Sequence, residues 1–163
     1  SPEGVIVHCD GSIWSVVPNP LAGTVPVGCY ASLNGVWASR SNDAWIVGYA
    51  PCGGADSGVL LHWDGAAWSA IAGGGDGSLQ AVWGTGPNDV WAVGGGHPDY
   101  YPIGYRALIL HWDGVRWSQV LDPRVGGAAE LYGVSGSGAT DAWAVGAGGA
   151  TLHWDGQRWS QCS

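Results

Sequence analysis

The chain has 163 residues, with 30 Gly, 12 Trp, no Phe, no Met and a formal net charge of -8. Its five basic residues are all Arg and are scattered, so the basic stripe that phosphate binding requires is absent, and nucleic acid is not an expected partner. No apolar run approaches the ~20 residues of a membrane-spanning helix, and 11% charged residues are too few for a long solvated one.

Gly at this level also occurs in disordered chains. Here 46% hydrophobic residues and regularly spaced Trp argue instead for a packed fold. The start at Ser1 is what a trimmed, exported chain or a fragment would show.

In chain order, the first unit is an isolated half, VIVHCDGSIWSVV, over residues 5–17. A full unit follows over residues 33–71: LNGVWASRSNDAWIVG, then GVLLHWDGAAWSAI. The same sentence returns over residues 79–120 and again over residues 131–162. Trp45, Trp91 and Trp143 lie 46 and 52 residues apart, a period that suits propeller blades. Each unit reads as four short strands, A to D, at Leu33–Ser39, Ala44–Gly48, Val59–Trp63 and Ala67–Ile71 in the first full copy. An Asn-Asp turn joins A to B at Asn42-Asp43 and Asn88-Asp89, with Thr140-Asp141 in the third copy. Asp-Gly joins C to D in all four copies, at Asp10-Gly11, Asp64-Gly65, Asp113-Gly114 and Asp155-Gly156. Between two apolar strands this dipeptide predicts a tight hairpin with both residues at positive φ. The fold class is therefore all-β: a β-propeller of four-stranded antiparallel meanders, about 3.5 blades in one domain spanning residues 1–163.

Large indole rings fill the wedge between neighbouring sheets, and each indole N–H needs an acceptor. Gly48, Gly94 and Gly146 end strand B, where a close backbone approach is expected. Trp-Ala-Val-Gly followed by His-Trp-Asp-Gly-x-x-Trp-Ser resembles the Trp-rich propeller repeats of secreted bacterial proteins, and the resemblance covers nearly the whole chain. It is also distantly similar to the Asp-box of sialidase-type propellers, although Asp and Gly are adjacent here. The Asp-box is a structural turn, so that similarity implies no activity.

Strand types A and B occur three times, and C and D four times. This chain alone cannot close an ordinary ring of about four to eight blades: it is part of a longer protein, or another chain finishes the ring, or the ring is a small four-bladed one with a defective blade. The open sheet edge invites strand addition, so self-association, as an oligomer or filament, is expected. No Cys spacing suits a metal, so disulfides in an oxidising, extracellular setting are the expected use of Cys9, Cys29, Cys52 and Cys162. Cys29 and Cys52 share one face of one blade, which suits a bridge. A Cys9–Cys162 bond would tie the ends together, within a ring or between subunits. Four Cys allow three pairings.

Function is expected on the face carrying the D–A and B–C connections, because these differ in every copy while the turns on the other face do not. The B–C connection is short at Ala147–Ala150, longer at Tyr49–Gly58 and longest at Gly95–Ala107. The longest holds His97, Asp99, Tyr100, Tyr101, Tyr105 and Arg106; Tyr30 and Tyr49 lie on the same face, as do Asp122, Arg124 and Glu130. Tyr rings beside Asp, His and Arg suit a saccharide, which stacks its apolar face and hydrogen-bonds its hydroxyls. The alternative is a loop that covers the blade end or a subunit contact.

His8, His62, His111 and His153 repeat at one strand-C position, so a whole blade should separate them. Hydrogen bonding between blades is expected of them, and shared metal binding is not. No cofactor is expected; calcium near Asp76, Asp99 and Asp122 is a minor alternative. Glu3 and Glu130 are the only Glu, most Asp lie in turns where they cap their own backbone, and no catalytic motif is present, so an enzyme is not expected. The sequence predicts a secreted, non-catalytic module that binds carbohydrate or another surface ligand. A self-assembling structural subunit is the alternative, and a glycosidase-like enzyme a distant third.

Overall fold

The computed structural model describes residues 5–23, 29–52, 55–96, 106–120 and 129–162. The first half unit forms β1 (Ile6–Cys9) and β2 (Trp14–Val17). The first full blade is β3 (Ser32–Arg40), β4 (Asp43–Cys52), β5 (Ala55–Trp63) and β6 (Trp68–Ala70). The second is β7 (Ser78–Gly86), β8 (Asp89–Gly96), β9 (Arg106–Trp112) and β10 (Trp117–Gln119). The third is β11 (Leu131–Gly138), β12 (Asp141–Gly146), β13 (Thr151–Trp154) and β14 (Trp159–Gln161). Each full blade is a four-stranded antiparallel meander, and β1–β2 is a separate two-stranded sheet. This is the β-propeller architecture of about 3.5 blades.

Every A–B pair carries two register shifts, at Leu33/Gly35 and Ala38/Arg40 and at the matching places in the other blades. Such bulges increase the local twist of a sheet. The innermost strands adjoin in turn, β3 against β7 and β7 against β11. Gly48, Gly94 and Gly146 meet expectation, since a Cβ there would overlap the carbonyls of Ser32, Ser78 and Glu130.

The core lies between blades. Trp45, Val47 and Leu60 of the first full blade pack with Leu79, Ala92, Leu108, Leu110 and Trp117 of the second. Trp91, Val93 and Ile109 pack in the same way with Leu131, Ala144, Leu152 and Trp159 of the third. Ile6 of the half blade enters the matching place against Ile46, Val59 and Leu61. The period that is visible in the sequence is thus the spacing of these wedges.

Two expectations about local structure need correction. Among the described residues none other than Gly has a positive φ; in the C–D turns Gly11, Gly65, Gly114 and Gly156 do, at 91 to 101°. Trp63 pairs with Trp68, so the loop runs from Asp64 to Ala67 and is longer than a two-residue hairpin turn. Asp64 Oδ1 instead accepts from the N–H groups of Ala66 and Ala67 at 2.8 and 2.9 Å, and Asp10, Asp113 and Asp155 do the same. The described part of the stretch from Tyr49 to Gly58 is strand, not loop. It continues the ladder from Tyr49↔Gly58 out to Cys52↔Ala55, satisfying backbone groups that a loop would leave to water.

Candidate functional site

One polar constellation recurs in every full blade. Asp43 opens β4, and its Oδ1 lies 2.7 Å from His62 Nε2 on β5, while the Ser39 hydroxyl donates to Oδ2. Asp89 holds His111 at 2.8 Å and Thr85 at 2.5 Å; Asp141 holds His153 at 2.9 Å and Ser137 at 2.5 Å. Each imidazole then lies against the B-strand indole of its own blade, with centroids 4.4, 4.1 and 4.3 Å apart. These His bonds are made within a blade, not between blades. Neighbouring strands of one sheet bring Asp and His side by side (Trp45↔His62 in register), whereas the next blade is separated by an indole layer. The residue types are those of a hydrolytic triad, but the order is wrong for one. The hydroxyl bonds the carboxylate and not the imidazole, so no base is set to activate it. Among the described residues no three His, Cys, Asp or Glu side chains converge on a metal position.

The C-strand indoles find acceptors inside their own blade. Trp63, Trp112 and Trp154 donate to the carbonyls of Ser41, Pro87 and Ala139 at 3.1, 3.0 and 3.0 Å, tying the A–B turn to the C–D turn. Trp45, Trp117 and Trp159 are buried with no such partner for the indole N–H, contrary to expectation. Rings stand edge-on beside them, Trp45 against Trp117 at 5.1 Å and Trp91 against Trp159 at 5.4 Å.

On the opposite face, where A strands begin and B strands end, a polar chain crosses all three full blades. Asn34 Nδ2 donates to the Leu79 carbonyl at 2.9 Å and to Gln80 Oε1 at 3.2 Å. Gln80 Nε2 donates to Glu130 Oε1 at 2.9 Å, and the Ser78 hydroxyl donates to the same oxygen at 3.2 Å. Tyr132, which occupies the Asn34 and Gln80 position in the last blade, is exposed. Beside Ser32, which pairs with Tyr49, the rings of Tyr30 and Tyr49 meet edge-on at 6.4 Å. Tyr30 is 48% exposed, and Tyr49 is half-buried.

Among the residues singled out from the sequence, the structure brings Tyr30 and Tyr49 together. Arg106 opens β9, pairs with Gly96 and is exposed. Glu130 belongs to the interblade chain and lies against Gly95. Asp76 bridges Ser57 through its backbone. His97, Asp99, Tyr100, Tyr101, Tyr105, Asp122 and Arg124 lie outside the described residues, as does the side chain of Cys52. Cys29 is disulfide-bonded. Cys9 and Cys162 are free thiols within the single chain, so the intrachain form of their bond is not made. The polar chain through Asn34 and Gln80 was missed from sequence, because its two residues differ in type from blade to blade.

No family model matches this chain, and no curated protein does. Solved structures do. One described as "YCF48 bound to D1 peptide" superposes with a TM-score of 0.56 at 22% identity over 80% of this chain and 39% of its own. YCF48 from Cyanidioschyzon merolae gives 0.55 at 22% identity over 84% of this chain and 38% of its own. The chain thus spans about two fifths of the length of these propellers. The likeness establishes the fold, and the Trp-rich secreted repeats remain a resemblance of motif.

Proposed function

We propose that this chain is a non-catalytic propeller module that captures a protein segment on the face where its A strands begin. The observation that carries this is the exposed Tyr30 ring, set edge-on against the half-buried Tyr49, beside the Asn34–Gln80–Glu130 chain. Amphipathic Tyr rings supply contact area at low entropic cost, and amide and carboxylate groups match a peptide backbone. A similar propeller has been solved with a D1 peptide bound, which supports a peptide as the ligand class. The repeated Asp residues of the described A–B and C–D turns are engaged with His or with their own turns, which supports a binding role. Export to an oxidising compartment belongs to the same reading and is supported by the disulfide at Cys29.

A saccharide is the second reading, favoured by the same Tyr rings. An extended-peptide library and a glycan array, both probed with the full chain and its Tyr30→Ala/Tyr49→Ala variant, separate the two. Peptide capture that weakens at least about tenfold in the variant is the expected result for aromatic anchors. Peptide capture indifferent to both Tyr residues would overturn the proposal, and Tyr-dependent glycan signals alone would move it to saccharide.

A further inference from the structure

Three features of the half blade coincide at one place, away from the Tyr face. First, β1 is hydrogen-bonded to β2 on one side, and no described strand lies on its other side; β5, β9 and β13 are flanked there by β4, β8 and β12. Second, His8 stands at the position of His62, His111 and His153, and among the described residues no Asp meets it as Asp43, Asp89 and Asp141 meet theirs. The ring instead leans on Trp63 at 5.5 Å. Third, the pairs Trp112/Trp117 and Trp154/Trp159 each receive a B-strand indole, Trp45 at 5.0 and 5.1 Å and Trp91 at 4.7 and 5.4 Å. The equivalent pair Trp63/Trp68 receives no B-strand indole among the described residues. It borders a cavity of about 130 Å³, shared with Val17, Pro18, Pro20, Ala66 and Ala67.

We propose that the free edge of β1 is a docking site for a two-stranded hairpin of the A–B type, with the pattern Ser/Thr-x-x-x-Asp-x-Trp-x-Val-Gly. The second strand of the hairpin adds antiparallel to Ile6–Cys9. Its Asp bonds His8, and its Trp lies on His8 and enters the Trp63/Trp68 pair. The occupant is specified by the two junctions already built in this molecule, where each of these contacts is made. A second copy does not supply it readily, because β3–β4, β7–β8 and β11–β12 are each already paired to their own C strand. Main-chain pairing gives the affinity of such strand addition, and the side-chain pockets give its specificity.

The test titrates the full chain with a synthetic peptide of residues 79–94, which carries the pattern through Thr85, Asp89 and Trp91. The expected result is saturable one-to-one binding with slowed amide exchange at Ile6–Cys9. Trp91→Ala in the peptide then weakens binding by at least about tenfold, as for a buried Trp anchor. Peptide Asp89→Asn and protein His8→Ala each weaken it, and together weaken it less than the sum of the two. His8 is exposed, so its variant keeps the fold, and the peptide variants do not depend on the fold at all. No saturation, or equal binding by the Trp91→Ala peptide, would overturn the proposal. So would a chain that dimerises with β1 protected and excludes the peptide, which would assign the edge to a second copy. The Tyr30→Ala/Tyr49→Ala variant binds the hairpin unchanged, so the failure of this proposal is distinct from failure of the peptide-capture reading.

Discussion

Trp91 and Trp159 meet edge-on, 5.4 Å apart at 81°, across the junction of the second and third blades. Both are essentially buried, and each comes from a different sheet. Trp143 occupies the position of Trp91 one blade later and is 43% exposed, because no described strand follows β14 to receive it. The same residue type therefore has two different weights in one chain, set only by what lies beside it.

Removing the ring at the two positions separates those weights. Trp91→Ala should cost about 3–5 kcal/mol, the usual range for emptying a large buried aromatic site. Trp143→Ala should cost well under half of that, since much of its surface is already in water. Urea unfolding of both variants checks this, read as the shift in midpoint at constant slope.

The Asp–His pairs should rank by cover. The side chains of Asp43, Asp89 and Asp141 are 12, 28 and 45% exposed. Asp43→Ala leaves the His62 ring and the Ser39 hydroxyl without their partner under the most cover, with a cost of about 1–3 kcal/mol. The cost should fall through Asp89 to Asp141. Thermal unfolding of the three variants would contradict this if Asp141→Ala proved the most damaging.

Backbone contact makes Gly94 sensitive to one methyl group. A Cβ there would overlap the Ser78 carbonyl, so Gly94→Ala must push β7 and β8 apart and should cost about 1–3 kcal/mol. Gly86, with no atom near a Cβ, is the control and should tolerate Ala within about 0.5 kcal/mol. Amide exchange along β7 and β8 would show the disturbance at Gly94 alone.

Acid should loosen the turn face first. Backbone N–H bonds from the next turn residues hold the carboxyls of Asp10, Asp64, Asp113 and Asp155 below the ordinary value. Asp141 is held low mainly by Ser137 and then by His153. A carboxyl with a depressed folded pKa stabilises fully above its unfolded value of about 3.9, and that contribution is lost as pH falls through the folded value. Urea midpoints should therefore decline on acidification below about pH 4. A variant with Asn at Asp10, Asp64, Asp113 and Asp155 keeps the turn geometry and should decline less steeply. Parallel curves for the two proteins would refute the assignment.

The indole period, the places of the C–D turns and the half blade were legible in the sequence because each copy repeats them in the same residues, whereas the turn type was misread as a two-residue hairpin. The Asp–His pairing was harder to read. Asp43, Asp89 and Asp141 sit in turns where Asp commonly caps its own backbone, so their His partners were hidden. The signal that reveals them is the hydroxyl four residues earlier, Ser39, Thr85 and Ser137, which repeats with them. The loop from Tyr49 to Gly58 read as irregular because Pro51, Gly53, Gly54 and Gly58 outweighed the strand pattern, yet the ladder runs through Pro51↔Asp56. The Tyr30–Tyr49 contact was legible only as a shared face. The Asn34–Gln80–Glu130 chain was not legible, since Asn and Gln at one repeat position look like variation rather than a matched donor and acceptor.

The central claim is that B-strand indoles lock each blade to the next and that the last one stands open. Fluorine NMR of the 5-fluorotryptophan protein, titrated with a soluble paramagnet, tests it most directly. Signals from Trp45 and Trp91 should resist broadening until the chain unfolds, while those from Trp143 and from Trp14, at 70% exposure, broaden first. Equal broadening of Trp91 and Trp143 in the folded chain would contradict the account.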